Sequence, residues 1–443
     1  MTTIPVTKLS AAARLMVYSH DTFGLGNLRR MLAICEHLLS CWPRLSILLV
    51  SGSPMIHEFR LPKGLDYIKL PCLNRGVSGE LKAKYLGTSI EETVALRSQI
   101  IASAAMHFKP DLLLVDKKPT GLKGELASTL HYLKQHLPKS RRVLLLRDIL
   151  DAPQKTIEDW GRLGYYPTII NYYDQVLVAG TQSVFDLVQE YHLPLPIASK
   201  ISYCGYIRKR MEQRDRPDLK AQLGLKTTDR LVLVTPGGGE DGYALIDRYL
   251  QGIQAIQPAG ANRDETFPGT VPFHSLILCG PEMPVDQQLK LQALAQQCPS
   301  VIFQCFTSDL LAYIDAADAV VSMGGYNTLT EILTLGKRAV VVPRSKPSQE
   351  QLIRAARFAA KGWITMVHPD ALTPLTLIQA VQAQFDSSTV SAPTLPTDDA
   401  ASELIKTEKI ALDGLSKITE SLTAIVSPMR QSVPFLSPLC LPA

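Results

Sequence analysis

Between residues 14 and 385, short apolar runs alternate with stretches whose apolar residues recur every three or four positions, and that alternation leaves few folds open. Arg14–Ser19, Ser46–Ser51, Leu112–Asp116, 142–146 and Gln175–Ala179 read as buried strands. Between the first two, Leu28, Met31, Leu32, Cys35, Leu38 and Leu39 fall at the offsets of one helix face. Strands joined through helices pair in parallel, and a parallel sheet is covered by helices on both faces. The second half repeats the plan. Leu231–Thr235, 274–279, 301–303, Ala319–Ser322 and 339–342 read as strands, and Leu245, Tyr249, Leu250, Ile253 and Ile256 mark the inward face of a helix.

With 443 residues, 46% of them hydrophobic, there is material for two or three cores. The expected fold class is α/β, with two Rossmann-like domains facing a cleft. The first spans residues 14–196 and the second 197–386, with the crossing running through Tyr203 to Tyr206. In such sheets ligands bind at the carboxyl ends of the strands. Residues 258–272 read as a polar surface insertion. The Ser-, Thr-, Pro- and Ala-rich stretch 387–401 reads as a flexible linker. Residues 402–443 form a last helix and tail, with Leu415, Ile418, Leu422 and Ile425 on the face that packs on the body.

The formal charge of +5 is mild for this length, and the one dense basic cluster, Arg208, Lys209 and Arg210, has no interleaved aromatics. Both argue against a nucleic-acid partner. They leave open a weak peripheral contact with an anionic membrane surface. The eight cysteines contain no CxxC pair, so neither a zinc site nor a disulfide framework is expected, and a reducing cytoplasm fits. No signal-peptide pattern opens the chain, and no run approaches the roughly 20 apolar residues that span a bilayer.

The segment from Asp318 to Glu331 reads as a strand, a Gly324-Gly325 turn and a helix that Gly336 stops. Glycines let a ligand approach the backbone, and a new helix offers unpaired N–H groups and a positive dipole end to a phosphate. A plain βα turn is the competing reading, because Thr328 and Glu331 also match the spacing of a capping box. Two further glycine loops, Gly237-Gly238-Gly239 and Gly24 to Gly26, follow strands in the same way. Neither is a dinucleotide fingerprint or a Walker A loop.

Gly324 to Glu331, with Pro343, Glu350 and Gln351, resembles the C-terminal domain of family 28 glycosyltransferases. That family includes the bacterial enzyme that adds N-acetylglucosamine to the lipid-linked peptidoglycan precursor. Tyr18 to Arg30, Val115 to Gly121 and Leu146 to Asp151 resemble a bacterial group of predicted glycosyltransferases. The resemblance implies a GT-B fold and transfer of a hexosyl group from a nucleotide-diphosphate sugar, a UDP-sugar with UDP-N-acetylglucosamine as one candidate. Inversion at the anomeric carbon and independence from metal are implied as well. Gly324, Gly325 and Thr328 would lie at the diphosphate, Glu331 at the ribose, Phe306 and Thr307 at the base, and Gln351 with Glu350 at the sugar. Gly237, Gly238 and Gly239 would line the cleft. No cofactor beyond the donor is implied, and the acceptor is left open.

This sequence departs from the family at two places: Glu350 stands where the family has glutamine, and Asn27 where it has histidine. Asparagine positions a hydroxyl but cannot take its proton. His20, Asp21 and Asp116 are the other candidate bases, each at the end of a strand. Arg147, Asp148 and Asp151 read as a locally salt-bridged turn, and Arg344 as a phosphate partner or a solvated surface cation. A nucleotide-sugar epimerase on the same fold and a binding protein without catalysis are the alternative functions.

Overall fold

The computed structural model describes residues 13–20, 26–75, 80–208, 218–256, 273–307, 309–386 and 410–426. The expected 258–272 insertion, the 387–401 linker, Asp21 and Gly24 lie outside them, as does the start of the last helix.

Seven strands form the first sheet: β1 (Arg14–Ser19), β2 (Ser46–Ser51), β3 (Leu65–Lys69), β6 (Leu112–Asp116), β7 (Arg141–Arg147), β8 (Gln175–Ala179) and β9 (Ile201–Tyr203). They are ordered β3-β2-β1-β6-β7-β8-β9 and every pairing is parallel. A separate antiparallel hairpin, β4 (Leu73–Arg75) and β5 (Leu81–Ala83), stands beside it. The second sheet, also all parallel, is ordered β12-β11-β10-β13-β14-β15. Its strands are β10 (Leu231–Thr235), β11 (His274–Leu278), β12 (Val301–Gln304), β13 (Ala319–Ser322), β14 (Arg338–Val341) and β15 (Thr365–Met366).

The central strands carry continuous apolar runs because both sheet faces are covered: Met16, Val17, Leu113, Leu114 and Val232 to Val234 are all fully buried. Helix α1 (Gly26–Cys41) buries Leu28, Met31, Leu32, Cys35, Leu38 and Leu39, the face its spacing predicted. β9 is a finding against the 196 boundary. The first sheet continues past Pro196, and Cys204 and Gly205 extend the pairing through bonds to Val178 and Gly180. Three residues are too few to show a period in the sequence.

In each sheet the strand order reverses at one place, between β1 and β6 in the first and between β10 and β13 in the second. A crevice opens at the carboxyl ends of the strands at such a switch point. α2 (Tyr326–Thr334) and α3 (Glu350–Ala360) follow β13 and β14. α4 (Gly414–Val426) returns to the first domain: it touches α1, and the backbone just before it bonds at Tyr206. Leu415, Ile418 and Leu422 are buried there, and Ile425 is half-buried.

Candidate active site

The strand ends decide what lies in the cleft. β1 runs into His20 and β6 ends on Asp116, so both flank the first switch point. β10 runs into Gly237 to Gly239 and β13 into Gly324-Gly325, so two of the three glycine loops flank the second. The two crevices meet where Asn327 Nδ2, in the first turn of α2, donates to the carbonyl of Gly26 at 2.9 Å.

Gly324 is left-handed (φ +77°), and a Cβ there would stand 3.0 Å from Val341 Cγ1. Gly325 is the N-cap of α2 and makes no side-chain cap bond, while a Cβ on it would meet nothing within 4 Å. Among the described residues no acceptor takes the N–H groups of Gly325, Tyr326, Asn327 or Thr328. The turn therefore presents open amides beside open space. The capping-box reading fails on register, because the helix starts at Tyr326 and Thr328 is already inside it.

Gly237 and Gly239 are left-handed as well (φ +89° and +97°), and Gly239 lies so close to Cys279 and Gly280 that no side chain fits. The Gly238 carbonyl accepts from Glu282 N at 2.8 Å. Phe306 is 51% exposed just beyond β12, and Thr307 Oγ1 accepts from Asp309 N. Glu331 and Thr328 are half-buried on α2. Gln351 Oε1 accepts from Arg344 N at 3.3 Å, and Arg344 pairs with Asp241 at 3.0 Å.

On the first-domain side, Asp116 is fully buried and bound to Arg30 at 2.5 Å, with His20 Nδ1 3.6 Å from its other oxygen. Burial, and then the charges of Lys117, Lys118, Arg147 and Arg30, hold His20 well below the usual histidine pKa. Its imidazole is therefore neutral near pH 7, a state that can accept a proton. Asn27 Oδ1 accepts from both Arg30 and Arg147. Lys117 is left-handed (φ +62°), and burial lowers its amine to about 8.

The largest surprise is at Arg147, Asp148 and Asp151. They do not pair with one another but reach across the cleft. Arg147 Nη1 binds both oxygens of Glu350 at 3.1 Å, Asp148 binds Arg354, and Asp151 Oδ1 accepts from Gln349 N at 2.8 Å. Burial alone would raise the Glu350 carboxyl, but Arg147, Lys117, Arg354 and Arg344 outweigh it and hold the pKa down to about 2. Sequence proximity suggested a local turn; the one signal otherwise was a charged pair ending an apolar strand, which implies buried partners without naming them.

A surface hollow of about 580 Å³ lined by Arg141, Tyr173, Asp174 and Ile425 lies at the opposite, amino ends of β7 and β8. Parallel sheets gather ligands at the carboxyl ends, so the cleft is the better site. No cluster of metal-ligating side chains occurs among the described residues, and no helix among them is long and apolar enough to cross a membrane.

Residues 247–407 match the glycosyltransferase family 28 C-terminal domain, a segment that contains the Gly324-Gly325 turn. That match covers 161 of the 443 residues, about a third of this chain. An uncharacterized glycosyltransferase of Methanopyrus kandleri is 25% identical over 192 residues, 43% of this chain and 48% of that protein. The UDP-N-acetylglucosamine–N-acetylmuramyl-(pentapeptide) pyrophosphoryl-undecaprenol N-acetylglucosamine transferase of Lachnoclostridium phytofermentans is 30% identical over 89 residues, 20% of this chain and 25% of that one. The chain thus spans about half the length, or less, of these relatives. Among solved structures, the calicheamicin glycosyltransferase CalG4 matches with a TM-score of 0.57 at 14% identity, covering 95% of this chain and 100% of its own. A Listeria monocytogenes protein assigned as a UDP-N-acetylglucosamine 2-epimerase matches at 0.60 and 11%, covering 96% and 100%. The chain has the GT-B fold, which transferases and epimerases share, so the fold does not choose between their chemistries.

Proposed function

We propose that the protein is a glycosyltransferase that binds a UDP-sugar in the second domain and passes its hexosyl group to an acceptor held by the first. The observation that carries this reading is the Gly324-Gly325 turn: four open amides at a helix start, beside empty space, at a switch point facing the other domain. Such a start stabilises the negative charge that grows on a leaving diphosphate. The match of this segment to a family 28 domain supports the same assignment. Glu331 then serves the ribose and the exposed Phe306 and Thr307 serve the base.

His20 is the best-supported base. A neutral imidazole oriented toward a buried carboxylate can take the proton of an acceptor hydroxyl as that oxygen attacks the anomeric carbon. Asp116 is bound by Arg30, and Asn27 receives two guanidinium donors, so neither is available for that step. Asn27 in place of histidine then reflects a site built around arginines, not loss of catalysis.

The test is calorimetric titration of UDP and UDP-sugars, with Glu331→Ala as control, followed by product analysis. Saturable UDP binding that the substitution weakens supports the reading. Binding accompanied by release of an epimerised sugar would replace transfer with epimerisation, and no binding of any nucleotide would remove the proposal.

A further inference from the structure

We propose that Asp148 of the first domain acts through Arg354 as a positioning residue for the diphosphate turn, coupling nucleotide binding to closure of the cleft. This rests on the reading of that turn as the nucleotide site.

Arg354 on α3 is fully buried. Its Nε and Nη2 donate to the two oxygens of Asp148, both at 2.8 Å, and its Nη1 donates to the carbonyl of Gly324 at 3.3 Å. One rigid guanidinium thus ties a first-domain carboxylate to the turn, and its planar donor set fixes direction as well as distance. Gly324 has no side chain to hold its left-handed conformation, so its carbonyl is the handle by which the turn is held. With that oxygen aimed at the buried arginine, the following amides stay outside the bond.

Tyr326, the first residue of α2, carries the same link. Arg354 lies 5.6 Å from its ring centroid and Arg30 5.8 Å. Arg30 is itself held by Asp116 at 2.5 Å, and Tyr326 Oη accepts from Ile207 N at 3.1 Å. The start of the nucleotide helix therefore touches two arginines, each neutralised by an acid of the first domain. If the halves part, Arg354 must release Asp148, because Arg354 and Gly324 both belong to the second domain. Without Asp148, the carboxylate left to Arg354 is Glu350 on its own helix, at 3.9 Å, so the guanidinium loses the two bonds that fix its direction and with them its hold on the Gly324 carbonyl.

The experiment titrates UDP into the full chain and into Asp148→Asn, Asp148→Glu, Arg354→Lys and Arg357→Gln. Arg357 also pairs across the interface, with Glu190 at 2.6 Å, but this pair is partly exposed and touches neither Gly324 nor Tyr326. Expected are a roughly tenfold weaker UDP Kd for Asp148→Asn and Arg354→Lys, in the usual range of coupling between sites, with partial recovery in Asp148→Glu. Arg357→Gln stays within about twofold. Small-angle scattering should show Asp148→Asn expanded without UDP and compact at saturation. An unchanged Kd in Asp148→Asn, or an equal loss in Arg357→Gln, overturns the coupling while leaving the nucleotide reading intact. Absence of UDP binding to the unaltered chain overturns both. If Asp148→Asn does not fold, Arg354→Lys decides by the same Kd.

Discussion

Replacing Glu350 by glutamine should reveal how much of the molecule's stability sits in charges that cross between its halves. Glu350 is 7% exposed and binds Arg147 through both oxygens, so little of its interaction is lost to solvent screening. Its carboxyl is held at about 2, against about 4.3 for an unperturbed glutamate. At 1.36 kcal/mol per pKa unit, the ionised form contributes roughly 3 kcal/mol. The sign follows from the direction. A depressed carboxyl stabilises fully above its unfolded pKa and loses that contribution as pH falls toward its folded one. The difference between the parent chain and Glu350→Gln should therefore be roughly 3 kcal/mol at pH 7 and about half that near pH 3. For domains near 200 residues this corresponds to a Tm gap of roughly 6–12 °C at pH 7. Calorimetric unfolding of both proteins from pH 7.5 to 3 measures it. A gap under about 2 °C at pH 7, or one that does not shrink on acidification, would refute the reasoning.

Three other predictions come from the same cleft. Gly325→Ala adds a methyl where nothing stands, so Tm should move by no more than about 2 °C while UDP affinity falls about tenfold or more; Gly324→Ala should instead destabilise by roughly 1–3 kcal/mol, from its left-handed φ and the Val341 contact, as urea unfolding will read. Because His20 is held well below the ordinary histidine pKa, the acid limb of kcat/KM should lie below pH 6.5, and His20→Gln should lower kcat by about 10²–10⁴; an acid limb above 6.5 would assign the base elsewhere. Asn27→His removes an oxygen that accepts from both Arg30 and Arg147, so it should destabilise by about 1–3 kcal/mol and not raise turnover; a gain in activity would restore the view that Asn27 marks lost catalysis.

The fold class and the glycine loops were legible because each rests on a local rule. Period and strand-end glycine can be read within a dozen residues. The Thr328 and Glu331 spacing shows the limit: it fits a capping box on paper, yet the helix starts two residues earlier, at Tyr326, and register decides. The 196 boundary shows another, since β9 is a strand only through its pairing with β8. Asn27 in isolation reads only as a side chain that cannot take a proton, and its acceptor role toward two arginines is visible only in the structure.

The chain's own order of residues determined that strands and helices alternate, that the sheets are parallel, and that glycine turns end β10 and β13. These follow from steric and hydrophobic preferences acting between near neighbours. Only the tertiary structure decided that Arg147 meets Glu350, 203 residues away, and that Asp148 meets Arg354, 206 away. It likewise decided that the amides of Gly325 to Thr328 are left open. Charge pairing and hydrogen-bond satisfaction act through space, so their partners exist only once the two sheets have brought their carboxyl ends face to face.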